Sequence, residues 1–117
     1  MFVGTDIENI SRLQNLLVRK PHLVKKIFFE SEWAYALTKA NPASTLTGIW
    51  CAKEAVLKAL NPILTLSINE IEIVYHLKGH PLANIHNAQY VLNSYHISIS
   101  ISHSKECATA VCVVEIT

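Results

Sequence analysis

The sequence predicts an α+β fold in which helices pack on an antiparallel sheet, and two observations carry that expectation. Between residues 10 and 60 the apolar residues recur at three- and four-residue intervals, whereas from residue 71 onward they alternate or run continuously. Helices grouped first and strands last point to this class rather than to alternating βαβ units.

The chain opens with an extended segment that places Val3, Thr5 and Ile7 on one side and Gly4, Asp6 and Glu8 on the other, so Asp6 and Glu8 point the same way. Ile10, Leu13, Leu16 and Leu17 then follow helical spacing. Lys20-Pro21 ends that helix, because proline disfavours the α conformation in the residue before it. A second helical stretch is expected through Leu23 to Phe28, and a third near Glu32 to Lys39. A longer helix begins around Asn41-Pro42, a capping residue followed by proline at the first helical position, and stops near Asn61-Pro62. Ile49, Ala52, Val56 and Leu60 form its apolar stripe, and Thr47, Cys51, Glu54 and Lys58 form a separate row.

Ile71 to Tyr75 reads as a strand and Lys78-Gly79-His80-Pro81 as the turn into the next one. Ile97, Ile99 and Ile101 alternate with Ser98, Ser100 and Ser102, and Ala108 to Ile116 supplies a final, largely buried strand.

A chain of 117 residues with 50% hydrophobic content suits one domain, residues 1–117. Ten basic against nine acidic residues leave a net charge of +1, which supplies no global field for nucleic acid or an acidic membrane. Any anion site must therefore be local. Cys51, Cys107 and Cys112 are odd in number and form no CxxC pair, which fits a reducing cytoplasm. The N-terminus lacks signal-peptide character and no segment approaches the roughly 20 apolar residues that span a bilayer, so a soluble cytoplasmic protein is expected.

Polar groups stand out in three places: Asp6 with Glu8, Glu54 with Lys58, and His103 with Ser102 and Ser104. Each has an ordinary account. Asp6 could cap the helix that starts near Asn9, Glu8 could be a first-turn acid, Glu54 and Lys58 could form an i, i+4 surface pair, and His103 could be a turn residue. Those accounts leave unexplained why three such clusters coexist where charged residues are only 16% of the chain. Two carboxylates on separate elements can hold a hard divalent cation such as Mg²⁺, with phosphate oxygens and water completing its shell, and a nearby lysine can neutralise phosphate.

Three ordered motifs resemble those of the holo-acyl-carrier-protein synthases, the small bacterial type of phosphopantetheinyl transferase: Gly4-Thr5-Asp6-Ile7 followed by Arg12, Trp50-Cys51-Ala52-Lys53-Glu54-Ala55-Val56-Leu57-Lys58, and Ser98 to Ser104. The resemblance covers most of the chain. It implies that fold, and Mg²⁺-dependent transfer of the phosphopantetheine arm of coenzyme A to a serine of an apo acyl carrier protein, releasing adenosine 3′,5′-bisphosphate. Asp6 and Glu54 match the metal ligands, and Lys58 matches the lysine that contacts the pyrophosphate and assists its departure. His103 and Ser104 match the loop that holds the adenosine and 3′-phosphate end of coenzyme A. Arg12 matches a position that meets the acidic carrier. The serine proton would pass to Glu54 or to a water held by Asp6. The resemblance also implies a homotrimer with active sites between subunits.

Several positions depart from that pattern. Ile49 replaces an arginine, Trp50 a phenylalanine, Asn61-Pro62 a glycine-rich turn, and His80 a basic residue before Pro81. Glu8 lies two residues beyond Asp6 rather than three, as in the larger transferases, where such an acid is a third metal ligand. Lost positive charge bears on affinity and partner choice more than on reaction type. The rival expectations are a degenerate relative that binds coenzyme A or a carrier without catalysis, and an interaction domain in which all three clusters are caps and surface pairs.

Overall fold

The computed structural model describes residues 1–90 and 94–117. Strand β1 (Phe2–Asn9) leads into helices α1 (Ile10–Arg19), α2 (Pro21–Ile27), α3 (Glu30–Leu37) and α4 (Pro42–Leu60). A short 3₁₀ turn (Ile68–Glu70) precedes strands β2 (Ile71–Tyr75), β3 (Pro81–Ile85), β4 (Tyr95–His103) and β5 (Cys107–Ile116).

The expected elements are present, and the differences lie at their ends. Helix α2 starts at Pro21 rather than near Leu23, because proline at the first helical position already has a helical φ, so only Lys20 separates α1 from α2. Helix α3 starts at Glu30 rather than near Glu32: Phe29 N–H donates to Glu32 Oε1 at 2.8 Å, which anchors the first turn. Asn41 caps α4 as expected, its side chain accepting from Ser44 N–H at 3.2 Å. Gly79 turns the β2–β3 hairpin at φ 98°, a conformation that favours glycine.

Among the described residues the strands form two antiparallel sheets, one of order β1-β5-β4 and the hairpin β2-β3. The N-terminal strand thus joins the C-terminal ones, with Asp6 opposite Ala110 and Glu8 opposite Ala108. On the face toward α4 lie Gly4, Asp6 and Glu8; Val3 and Ile7 point away and are 63% and 69% exposed. Gly4 is required by close approach, because a Cβ there would collide with the Ala55 carbonyl oxygen and lie 2.8 Å from Ala59 N. That contact lays β1 directly along α4.

Helix α4 is the centre of the molecule. The stripe Ile49, Ala52, Val56 and Leu60 is fully buried, but so are Thr47, Cys51 and Lys53. The expected polar row is therefore internal at its start and reaches the surface only at Lys58, because β1, β5, β4, α1, α3 and β2 all pack around this helix. Among the described residues no helix is long and apolar enough to cross a membrane.

Candidate active site

Two elements build the site. β1 presents Asp6 toward α4, and the last two turns of α4 present Glu54 and Lys58 toward β1. Lys58 Nζ lies 3.6 Å from Asp6 Oδ1 and donates to the Thr5 carbonyl oxygen at 3.0 Å. The ordinary accounts of these residues fail here. Asp6 sits three residues before the N-cap Asn9 and takes no part in capping α1, and Lys58 pairs across to the strand rather than with Glu54.

Burial raises the Glu54 carboxyl above its ordinary range, the Asp6 carboxylate pushes it further in the same direction, and Lys58 opposes both. The two acids repel each other across the β1–α4 junction, which is where a cation would be favoured. Cys51, one turn before Glu54, forms the floor of this junction. Its thiol donates to the Ala108 carbonyl oxygen at 3.5 Å, and burial first, then Asp6, pushes it up to about 12, so it remains protonated.

Glu8 shares the inward face of β1, yet its carboxylate turns to α1. Arg12 Nη1 lies 2.8 Å from Glu8 Oε2, and Asn9 N–H donates to Glu8 Oε1 at 3.0 Å. The pair stands at the rim of an apolar cleft of about 240 Å³, walled by Leu16, Leu23, Ile27 and Trp50.

His103 and Ser104 lie farther off. His103 is opposite Ala108, which is opposite Glu8, so the three share one cross-strand row. Two strand spacings put the His103 and Glu8 backbones about 10 Å apart. Ser104 Oγ accepts from Cys107 N–H at 3.2 Å and Glu106 N–H at 3.3 Å, closing the β4–β5 turn. Of the departing positions, Ile49 is fully buried and committed to packing, and His80 stacks on His76 at 4.6 Å in the β2–β3 turn.

Among the described residues no group of three His, Cys, Asp or Glu side chains is gathered for a metal. Asp6 and Glu54 form an all-oxygen pair, and this suits Mg²⁺, which takes one or two protein carboxylates and fills its remaining positions with water and phosphate.

Residues 2–112 match the 4′-phosphopantetheinyl transferase superfamily. The chain belongs to that superfamily. It is 34% identical over 118 residues to the holo-[acyl-carrier-protein] synthase of Clostridium botulinum strain Alaska E43, covering 97% of this chain and 96% of the relative. To the Moorella thermoacetica holo-[acyl-carrier-protein] synthase it is 38% identical over 117 residues, covering 96% and 91%. Its fold is similar to the crystal structure of Helicobacter pylori holo-[acyl-carrier-protein] synthase in complex with coenzyme A, with a TM-score of 0.82, 30% identity, and coverage of 97% and 99%.

In this phosphopantetheinyl transferase the structure brings together Asp6, Glu54 and Lys58, joins Glu8 to Arg12, and leaves His103 and Ser104 two strands away. Sequence reasoning did not single out Cys51 as a site residue, although it lies between Thr47 and Glu54 in the row already drawn on α4. The cleft as a whole has no signal in the sequence, because its walls come from three elements, Leu16 on α1, Leu23 and Ile27 on α2 and Trp50 on α4, and no one spacing joins them.

Proposed function

We propose that this chain, as a single transferase domain of residues 1–117, moves the 4′-phosphopantetheine group of coenzyme A onto a serine of an apo acyl carrier protein and releases adenosine 3′,5′-bisphosphate. One observation carries the reading: Lys58, one turn beyond Glu54 on α4, reaches Asp6 on β1 at 3.6 Å and the Thr5 carbonyl oxygen at 3.0 Å, which supports a shared site for the two carboxylates at that junction.

Asp6 and Glu54 would hold Mg²⁺, which when bound supplies charge neutralisation on the diphosphate. The serine oxygen forms the new bond to phosphorus as the bond to the bisphosphate oxygen breaks. Lys58, more than half exposed and tethered among the described residues by one carbonyl and a 3.6 Å ion pair, is placed to add positive charge where the leaving group gains negative charge. The serine proton passes to Glu54 or to a water held by Asp6. Glu8 joins the ligands only by releasing Arg12.

His103 and Ser104 take the adenosine and 3′-phosphate end of the coenzyme, His103 from the same sheet face as Asp6 and Glu8 and Ser104 from the turn that follows. Arg12, exposed on α1, meets the acidic carrier. A homotrimer is supported by the outer face of the β1-β5-β4 sheet, where Val3, Ile7 and Val111 are exposed. Free cysteines support a reducing cytoplasm.

The test is incubation with coenzyme A, Mg²⁺ and apo carrier protein, followed by mass spectrometry of the carrier. The carrier is expected to gain one phosphopantetheine, and Asp6→Ala or Glu54→Ala to abolish the gain. No gain across several carriers, with coenzyme A still bound, would establish the non-catalytic alternative.

A further inference from the structure

Lys53 is next to Glu54 in sequence but lies about 100° round the helix from it, on a face that packs inside the protein. Its ammonium and the Glu32 carboxylate are both fully buried, with Nζ 2.6 Å from Oε1. Every polar atom of the pair is used. Lys53 Nζ also donates to the Ile27 carbonyl oxygen at 2.9 Å, Glu32 Oε1 accepts from Phe29 N–H at 2.8 Å, and Glu32 Oε2 accepts from Ile73 N–H at 2.7 Å. The Phe28 and Phe29 rings flank the ammonium at 5.3 and 5.0 Å.

The pair thus joins the end of α2, the start of α3, the middle of α4 and strand β2. Burying two charges is costly, and apolar residues of similar size would commonly stabilise a core as well or better. Stability alone therefore gives no reason for the pair. Its geometry gives another: the carbonyl it grips belongs to Ile27, whose side chain walls the cleft beside Glu8 and Arg12. Helix α2 is only seven residues long and follows α1 after a single residue, so it has little hold of its own on α4.

We infer that Lys53 and Glu32 are positioning residues that hold the α2 wall of this cleft in register with α4, and so set how the acceptor protein seats at Arg12 beside the transfer site. This rests on the transfer reading above, in which Arg12 receives the carrier. Neither residue touches the reacting atoms.

The double variant Lys53→Met/Glu32→Gln removes both charges at similar volume and retains one carbonyl oxygen for the two amides. KM for the carrier is expected to rise about tenfold, with KM for coenzyme A and kcat at saturating carrier changed less than about threefold. Amide exchange should speed up over residues 21–29 while residues 54–58 keep the parent rates. Should the double variant fail to fold, Lys53→Met alone, which releases the Ile27 carbonyl while the Phe29 and Ile73 amides still hold Glu32, is expected to give the same pattern. A lower melting temperature with unchanged carrier KM and unchanged exchange in α2 would overturn the inference, as would equal losses in kcat and kcat/KM. Exchange is read without substrate, so a parent protein that modifies no carrier would sink the transfer reading and leave the α2 tether still testable.

Discussion

Lys58 shows how a residue acquires its role from across the fold. Four residues after Glu54 it has the spacing of a surface ion pair, yet its ammonium goes to Asp6 and the Thr5 carbonyl oxygen. Glu54 is left between burial and a neighbouring carboxylate, and its affinity for a proton rises above the ordinary value of 4.5. The consequence for stability has a definite sign. A carboxyl that binds its proton more tightly folded than unfolded contributes stability that is fully present below the ordinary value and is lost as pH rises through the folded one. In metal-free protein, Glu54→Gln is therefore expected to melt higher than the parent at neutral pH and level with it in acid, while transfer falls at least about a hundredfold. Thermal denaturation with pH, beside the carrier mass assay, checks both; a variant less stable than its parent at neutral pH would contradict the described environment of Glu54.

At the scale of elements, the junction of β1 with α4 decides where the chemistry sits. Gly4 lets the strand lie on the helix backbone at Ala55 and Ala59, two residues before Asp6 and one beyond Glu54. Gly4→Ala places a methyl against backbone atoms that cannot rotate away, so an overpacking cost of about 1–3 kcal/mol is expected, read from the denaturant midpoint. Transfer activity should fall by more than that loss explains, because the strand that moves carries Asp6. Unchanged activity in folded Gly4→Ala would show that the close contact does not position the acid. These elements were largely legible from local patterning: β2 has the expected bounds, and α4 begins at its expected cap and ends just before Asn61. Helix α2 starts two residues before the position local spacing predicts, since Pro21 both ends one helix and begins the next.

Across the whole molecule, the described residues leave one sheet face bare. Thr5, Val111 and Ser100 lie in one row across β1, β5 and β4, and Val111 at the centre is 37% exposed, with Val3 and Ile7 more so at the edge. A charge at the centre of that face would have to be desolvated in the proposed trimer and would cost the monomer little. Val111→Glu is accordingly expected to give a folded protein of monomer mass by light scattering, with the parent at three times that mass. Identical masses for the two would remove this face from the assembly.

By itself the sequence determined the order and type of nearly every element, and the row on α4 that bears Glu54 and Lys58, because periodicity and capping act between residues a few positions apart. The tertiary structure alone decided that Lys58 meets Asp6, that Lys53 is buried against Glu32, that Glu8 holds Arg12, and that a cleft opens between α1, α2 and α4. Those partners come from elements far apart in the chain, and no local spacing encodes which of them packing will bring within reach.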